Sequence, residues 1–266
     1  MTHSCDLCGS FDRQPLRQDP RIAICDRCGF VYVPERRASG EIARAWDDVW
    51  DRNYDPSVPG VQARLWYVAR WLDLQGKTVL DIGAGRGTFL TFAKEFGAIR
   101  PCGIEASKIE SEYARWNTES EVWTGDIDEI QPQMTGSFDV VTILWTLENC
   151  GDCMAFLRKA KTFLNPGGKL VVATGSRILV PFHKPLSSYL SPETDADLHC
   201  FRFSATTLER ALNLAGMTKM AVNPFWQCEW LVMAAVEAPE AVPMKFGADD
   251  PDAVRRHFNE WERLFP

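Results

Sequence analysis

The chain lacks any apolar run of about eighteen residues, which excludes a membrane-spanning helix on composition alone. Its opening stretch, MTHSCDLCGS, is polar and carries no apolar signal segment, so a cytoplasmic location is expected. Positive charge is scarce. The formal net charge is −7, and no lysine precedes Lys77. That balance argues against a nucleic-acid partner, because phosphate-backbone binding rests on cationic contacts. Histidine is also scarce, at four in 266 residues, so each one near a site deserves a reason. No internal repeat and no low-complexity tract is present.

What remains is ordinary for a globular protein: 45% hydrophobic and 24% charged residues. The length suits one sizeable α/β domain with a small appendage. Nine cysteines without a secretion signal point to thiols or metal ligands rather than disulfides. Four of them form two pairs, Cys5-x2-Cys8 and Cys25-x2-Cys28, with sixteen residues between the pairs. This is the spacing of a four-thiolate tetrahedral zinc site, and a glycine follows each second cysteine (Gly9, Gly29). With all four positions filled by protein the zinc is structural. A unit this small cannot fold on its own core, so the metal is its expected organiser. Cys150-x2-Cys153 has no second pair beside it in sequence and reads as ordinary thiols.

Four segments are expected: a zinc-binding module over 1–36, a helical lid or linker over 37–75, a main domain over 76–237, and a tail over 238–266. In the main domain, strands near 78–82, 101–105, 121–124, 138–144, 169–174, 218–222 and 230–236 alternate with helices near 88–97, 107–116, 152–164 and 204–215. That alternation predicts an α/β, Rossmann-like, doubly wound sheet of seven mostly parallel strands. Residues 177–203 have no clear period and contain three prolines, so they are expected to be an irregular substrate loop. Tail residues Val254, Phe258, Trp261 and Phe265 form an apolar stripe behind an Asp-Asp-Pro start, which predicts a capped helix docked on the same chain. Trp46, Trp50, Trp66 and Trp71 are expected in the core. The chain is expected to be a monomer or a homodimer.

The stretch VLDIGAGRGTFL, residues 79–90, is a strand, a glycine turn and a helix start. Its spacing is G-x-G-x-G (Gly83, Gly85, Gly87), with Thr88 where the dinucleotide fingerprint has its third glycine. Asp81 stands two residues before the first glycine. A carboxylate there repels a phosphate and attracts an ammonium or other cation. Glu105, in CGIEAS, lies at the offset of about 20 residues at which a carboxylate takes ribose hydroxyls. Asp126 and Ile127, in TGDIDE, offer an acceptor for an adenine amino group and an apolar face for its ring.

On these motifs, with FDVVTILWTLEN and LRKAKTFLNPGGKLVVATGS, the chain resembles the class I S-adenosylmethionine (SAM)-dependent methyltransferases. The resemblance implies a seven-stranded sheet with one antiparallel edge strand. It implies SAM as cofactor, held by Asp81, Gly83, Ala84, Gly85, Gly87, Glu105, Ala106, Asp126 and Ile127. It places Leu144, Trp145 and Thr146 beside the cofactor, and Tyr54 closing over it from the N-terminal side. Many members carry a histidine after the Leu-Glu of the fourth motif; this chain has Asn149.

The cysteine pairs ahead of that core, with LHCFRFSATTLERALNLAGM behind it, look like bacterial methyltransferases acting on sugars and related natural products. That likeness implies a small-molecule acceptor containing a sugar, with His199 close to it. The sugar C-methyltransferases of this group carry tyrosine and glutamate where this chain has Ala196 and Leu198, so methylation of a hydroxyl is expected. His199 is the candidate general base and His183 the alternative, because the imidazole titrates near neutral pH. Arg177, Lys184 and Arg202 are candidates to meet an anionic group. Two other readings are an RNA methyltransferase with a zinc recognition module and a non-catalytic interaction protein of the same fold. Seven arginines against six acidic residues in 1–45 weaken the first, and the intact carboxylates weaken the second.

Overall fold

The computed structural model describes residues 2–36, 40–41, 59–129, 136–182, 184–190, 199–224, 228, 230–239 and 247–265. Tyr54, Trp46, Trp50, His183, Ala196 and Leu198 lie outside the described residues.

The chain opens with a small antiparallel unit of β1 (Arg13–Leu16), β2 (Asp19–Cys25) and β3 (Val31–Tyr32). A helix, α1 (Pro59–Trp71), leads into β4 (Thr78–Ile82), α2 (Thr88–Glu95), β5 (Arg100–Glu105), α3 (Lys108–Thr118), β6 (Glu121–Thr124) and β7 (Phe138–Leu144). A single 3-10 turn, Leu147–Asn149, precedes α4 (Cys153–Thr162) and β8 (Leu164–Thr174). There follow α5 (Leu186–Leu190), β9 (Phe201–Arg202), α6 (Ala205–Leu214), β10 (Met217–Val222), β11 (Leu231–Glu237) and α7 (Pro251–Leu264).

The main sheet has seven strands in the order β10-β11-β8-β7-β4-β5-β6. β4, β5, β6, β7 and β8 are parallel, as expected for strands joined by helical crossovers. Their central residues, among them Leu80, Ile82, Val141, Ile143, Leu170 and Val172, are fully buried apolar side chains, as a sheet covered on both faces requires. β11 is the one reversed strand, antiparallel to both β8 and β10. It lies next to the edge rather than at it, which corrects the expected antiparallel edge strand. β10 follows α6 directly and takes the edge, and the connection back from it feeds β11 between β10 and β8.

Helix starts are fixed locally. Ser107 caps α3 by accepting the Glu110 amide at 3.1 Å, and Asp152 caps α4 by accepting two amides at 2.9 Å. Ser204 and Thr207 form a capping box on α6. Asp250, followed by Pro251, caps α7. The register of the parallel strands places Asp81 opposite Thr142 and Glu105 opposite Thr124. The carboxylates singled out in the sequence thus fall along one edge of the sheet, at the C-terminal ends where this fold binds ligands.

Three expectations change. The segment 177–203 is not without structure: it carries α5 and β9, and β9 pairs with β3 to make a four-stranded sheet of order β1-β2-β3-β9. Trp66 is 46% exposed and only meets Phe96 edge-on, so it is not core. The strand expected near 169–174 begins earlier, because β8 takes in the Asn165–Gly168 stretch. The tail helix docks within the chain as expected. Val254, Phe258 and Trp261 are buried with Leu16, Ile22, Ile24 and Tyr189, while Phe265 is half exposed. Among the described residues no helix is long and apolar enough to cross a membrane.

Candidate active site and cysteine cluster

A cavity of about 490 Å³ opens at the C-terminal ends of β4, β5, β6, β7 and β8. One end is built by the glycine turn. Gly83 has φ of +79°, and a Cβ on it would lie 2.2 Å from Thr146 Oγ1. At Gly85 a Cβ would meet nothing within 4 Å, so the turn there leaves an open cradle facing the cavity. Of the twelve described residues expected at a cofactor, eleven line this cavity: Asp81, Gly83, Ala84, Gly85, Glu105, Ala106, Asp126, Ile127, Leu144, Trp145 and Thr146. Gly87 does not border it. Its missing side chain instead makes room for Thr118, whose methyl would lie 2.6 Å from a Cβ.

Asp81 is 2% exposed and accepts a 2.6 Å hydrogen bond from the Thr142 hydroxyl. Burial pushes its carboxyl up to about 8; the Glu105 charge adds to the shift and the Thr142 hydrogen bond opposes it. Asp81 is therefore a carboxyl waiting for a cation. Glu105 is fixed by two backbone amides: Oε2 accepts from Gly85 at 2.7 Å and Oε1 from Ser107 at 2.8 Å. Asp126 accepts the Asp128 amide at 3.2 Å, and burial holds its carboxyl above the usual range.

The other end of the cavity is polar and incompletely satisfied. Glu148 is 1% exposed; Oε1 accepts the Gly175 amide at 3.1 Å, and Oε2 has no partner among the described residues. Asn149 Oδ1 and Trp145 Nε1 are likewise buried without a hydrogen-bond partner. Native interiors rarely leave such atoms unmatched, so three of them on residues bordering one cavity mark a place for a polar ligand. His199 borders the same end, and its Nδ1 shares a hydrogen bond with the Ser176 hydroxyl. Lys184 borders it too.

Sequence reasoning missed Arg64. It reaches this cavity from α1, with its guanidinium 5.0 Å from the Trp145 ring centre and 5.6 Å from that of Trp230. The signal was its place on a helix just ahead of the glycine turn. Glu148 was also missed; a lone acidic residue after a strand reads as a helix cap. Conversely, Arg177 and Arg202 are buried inside the fold. Arg177 donates to the carbonyls of Cys228 and Trp230, and Arg202 to that of His199. They brace loops and do not face an acceptor. Cys150 and Cys153 are buried ordinary thiols, and burial pushes both above the usual range.

Outside the cavity lining, Cys5, Cys8, Cys25 and Cys28 come together, with all four sulfurs within 4.8 Å of one another. Two of the edges measure 3.6 Å (Cys5 to Cys28) and 3.5 Å (Cys8 to Cys25). Zinc bonded to four sulfurs at about 2.3 Å gives tetrahedral edges of about 3.8 Å, so the cluster has the right size and donor set. Hydrogen bonds from Cys25 and Cys28, with burial, push the Cys5 thiol far up. A bound dication removes that penalty.

Comparison with known proteins agrees with this geometry. A family model described as a methyltransferase domain matches residues 60–222, more than half of the chain. A ubiquinone biosynthesis O-methyltransferase of Xanthomonas oryzae pv. oryzae is 31% identical over 160 residues, covering 58% of this chain and 66% of the relative. Another, from Xanthomonas euvesicatoria pv. vesicatoria, is 30% identical over 125 residues, 45% of this chain and 52% of the relative. The chain thus spans between half and two thirds of the length of these curated relatives. Among solved structures, the 1,6-didemethyltoxoflavin-N1-methyltransferase of Burkholderia thailandensis, with bound S-adenosylhomocysteine, superposes with a TM-score of 0.58 at 18% identity. It covers 85% of this chain and 100% of that one. The magnesium protoporphyrin IX methyltransferase of Synechocystis PCC 6803 gives 0.53 at 16% identity, over 73% of this chain and 94% of that one. Glycine turn, strand-end carboxylates, sheet order and family match agree: the chain belongs to the methyltransferase-domain family.

Proposed function

We propose that this chain is a SAM-dependent methyltransferase that methylates a hydroxyl group of a small molecule. One observation carries the reading. A single cavity joins three strand-end carboxylates at one end to His199 and the unmatched atoms of Glu148, Asn149 and Trp145 at the other. SAM, when bound, supplies a methyl group made electrophilic by its sulfonium. Asp81 receives a cationic group of the cofactor, Glu105 its ribose hydroxyls and Asp126 its adenine amino group. Ala84, Ala106, Ile127 and Leu144 give the apolar walls. At the acceptor end the His199 ring shares its Nδ1 hydrogen bond with the Ser176 hydroxyl, and the imidazole is the group proposed to take the acceptor's hydroxyl proton. Glu148 and Asn149 accept hydrogen bonds from neighbouring donors of the acceptor and orient its oxygen, a contribution that can exceed that of the base.

The curated relatives are named for ubiquinone biosynthesis and O-methylation. They support an oxygen acceptor and lend none to the sugar expected from the sequence, so the acceptor proposed is a hydroxylated small molecule without further specification. The cysteine cluster is read as a structural zinc site within a module over 1–36, ahead of a catalytic domain over 76–237. The test uses methyl-labelled SAM with a panel of simple phenols and catechols. The reading predicts label as a methyl ether on at least one of them, lost in Asp81→Asn. Methyl transfer to nitrogen or carbon only, from the same panel extended with amines and enols, would overturn the hydroxyl assignment.

A further inference from the structure

We propose that the cysteine module positions the acceptor end of the active site, by holding the short strand β9 that begins two residues after His199. The inference rests on the reading of His199 given above, and it assigns the module a task beyond its own folding.

Three links run from the cysteines to His199. The first is backbone. β3 follows the second cysteine pair directly, and it pairs antiparallel with β9, Val31 opposite Arg202 and Tyr32 opposite Phe201. One residue further the Val33 amide donates to the Cys200 carbonyl at 2.9 Å. The second is aromatic. Phe30, two residues beyond Cys28, is fully buried, stacks on Phe201 at 5.9 Å and meets Phe203 at 5.4 Å. The third is ionic. Arg36 holds Asp6, inside the first cysteine loop, through both carboxylate oxygens at 3.0 and 3.1 Å. The same guanidinium lies 4.7 Å from the Phe201 ring centre. Both side chains of that pair are nearly buried, so neither is a solvated surface contact.

The strand so held has only two residues, and a strand of that length has little stability of its own. Its other side completes the site. The Phe203 amide donates to the Ser176 carbonyl at 3.0 Å, and Arg202 donates to the His199 carbonyl at 2.9 Å. Ser176 and His199, thus brought together, share the side-chain hydrogen bond at the cavity. Nothing in this chain of contacts passes through the glycine turn or its carboxylates. These contacts bear directly on the acceptor end, whereas the module meets the strands of the cofactor end only through the shared apolar core. Phe30, Arg36 and Phe201 are positioning residues in this account.

The test is amide hydrogen exchange on the full chain, read peptide by peptide. It compares the zinc-loaded protein, the chelator-treated protein and a Phe30→Leu variant that keeps all four cysteines. Chelation is expected to speed exchange at Val33, Ile178 and Phe203 at least about tenfold. The Gly83 and Ala84 amides, which bond the Ile104 carbonyl, keep their rates, and the affinity for SAM stays within about twofold. Phe30→Leu is expected to retain its zinc and still speed exchange at Phe203. The nitrogen resonances of the His199 ring should report loss of the Ser176 hydrogen bond in both. Unchanged protection at Val33 and Phe203 after chelation overturns the proposal. So does a uniform rise across 83–84 and 178–203, which would make the metal a general organiser of the fold. The readouts do not depend on turnover, so they separate this proposal from the role of His199 as base. A His199→Ala variant that methylates at full rate would refute that role alone.

Discussion

The Thr142 hydroxyl donates to the carboxyl of Asp81 across two neighbouring parallel strands at 2.6 Å, deep beneath the glycine turn. Among the described residues that hydrogen bond stabilises the charged form of Asp81, and burial outweighs it, leaving the carboxyl at about 8. A cationic ligand group reverses the balance. Binding below pH 8 must therefore ionise Asp81 and release a proton, so affinity for SAM rises with pH up to about 8 and levels off above it. Calorimetry in buffers of different ionisation enthalpy measures the release directly. Asp81→Asn should bind weakly and without this pH dependence. The same raised value acts on stability in the opposite direction. In the unliganded protein the contribution of Asp81 is full below the ordinary aspartate range and is lost as pH rises through 8.

Replacing Gly83 tests how the turn is built. Gly83→Ala puts a methyl group 2.2 Å from Thr146 Oγ1 and holds a non-glycine residue at φ of +79°. The expected result is a loss of SAM affinity of at least about tenfold in isothermal titration. Adding Thr146→Ala removes the two closest contacts but leaves the residue-146 Cβ at 2.8 Å and the backbone strain, so the double variant should recover only part of the loss.

At the acceptor end, His199→Ala should lower turnover by about 10²–10⁴-fold, the usual contribution of a general base, with SAM affinity unchanged. Ser176→Ala removes only the orienting partner and should cost less. Glu148→Gln keeps the shape and the bond from Gly175 but replaces the unmatched carboxylate oxygen by an amide, so its effect should fall on the acceptor KM. Steady-state kinetics with the first acceptor found separates the three. Equal effects from all would contradict the division of roles.

The tail helix carries a separate expectation. Trp261 is 3% exposed, packs at 4.6 Å on the Tyr189 ring and donates its indole N–H to the Lys184 carbonyl at 2.8 Å. Trp261→Ala should cost about 3–5 kcal/mol in urea unfolding, as for other buried large-to-small changes. A cost near zero would mean that α7 folds independently of the rest.

Long, periodic features were legible in the sequence. The buried apolar strands, the glycine turn and the capped start of the tail helix are local, and each is written in a few adjacent residues. The cysteine pairs were legible for the same reason, since ligand spacing survives without any knowledge of the rest. What was hidden depends on pairing at long range. β9 is too short to show alternation, and its partner β3 lies about 170 residues earlier, a separation no periodicity encodes. The reversed strand β11 reads like any buried strand, because burial on both faces erases the signs of direction. Glu148 and Arg64 are single polar residues whose meaning comes only from the cavity they share. Arg177 and Arg202 misled because a charged side chain in a proline-containing segment reads as surface, whereas here backbone carbonyls hold each one inside.

The most direct measurement is a crystal structure with S-adenosylhomocysteine. The account predicts the ribose hydroxyls on Glu105, the adenine beside Asp126 and Ile127, and the sulfur facing the end of the cavity that holds His199, Glu148 and Asn149. A ligand seated elsewhere, or one whose sulfur turns away from His199, would contradict it.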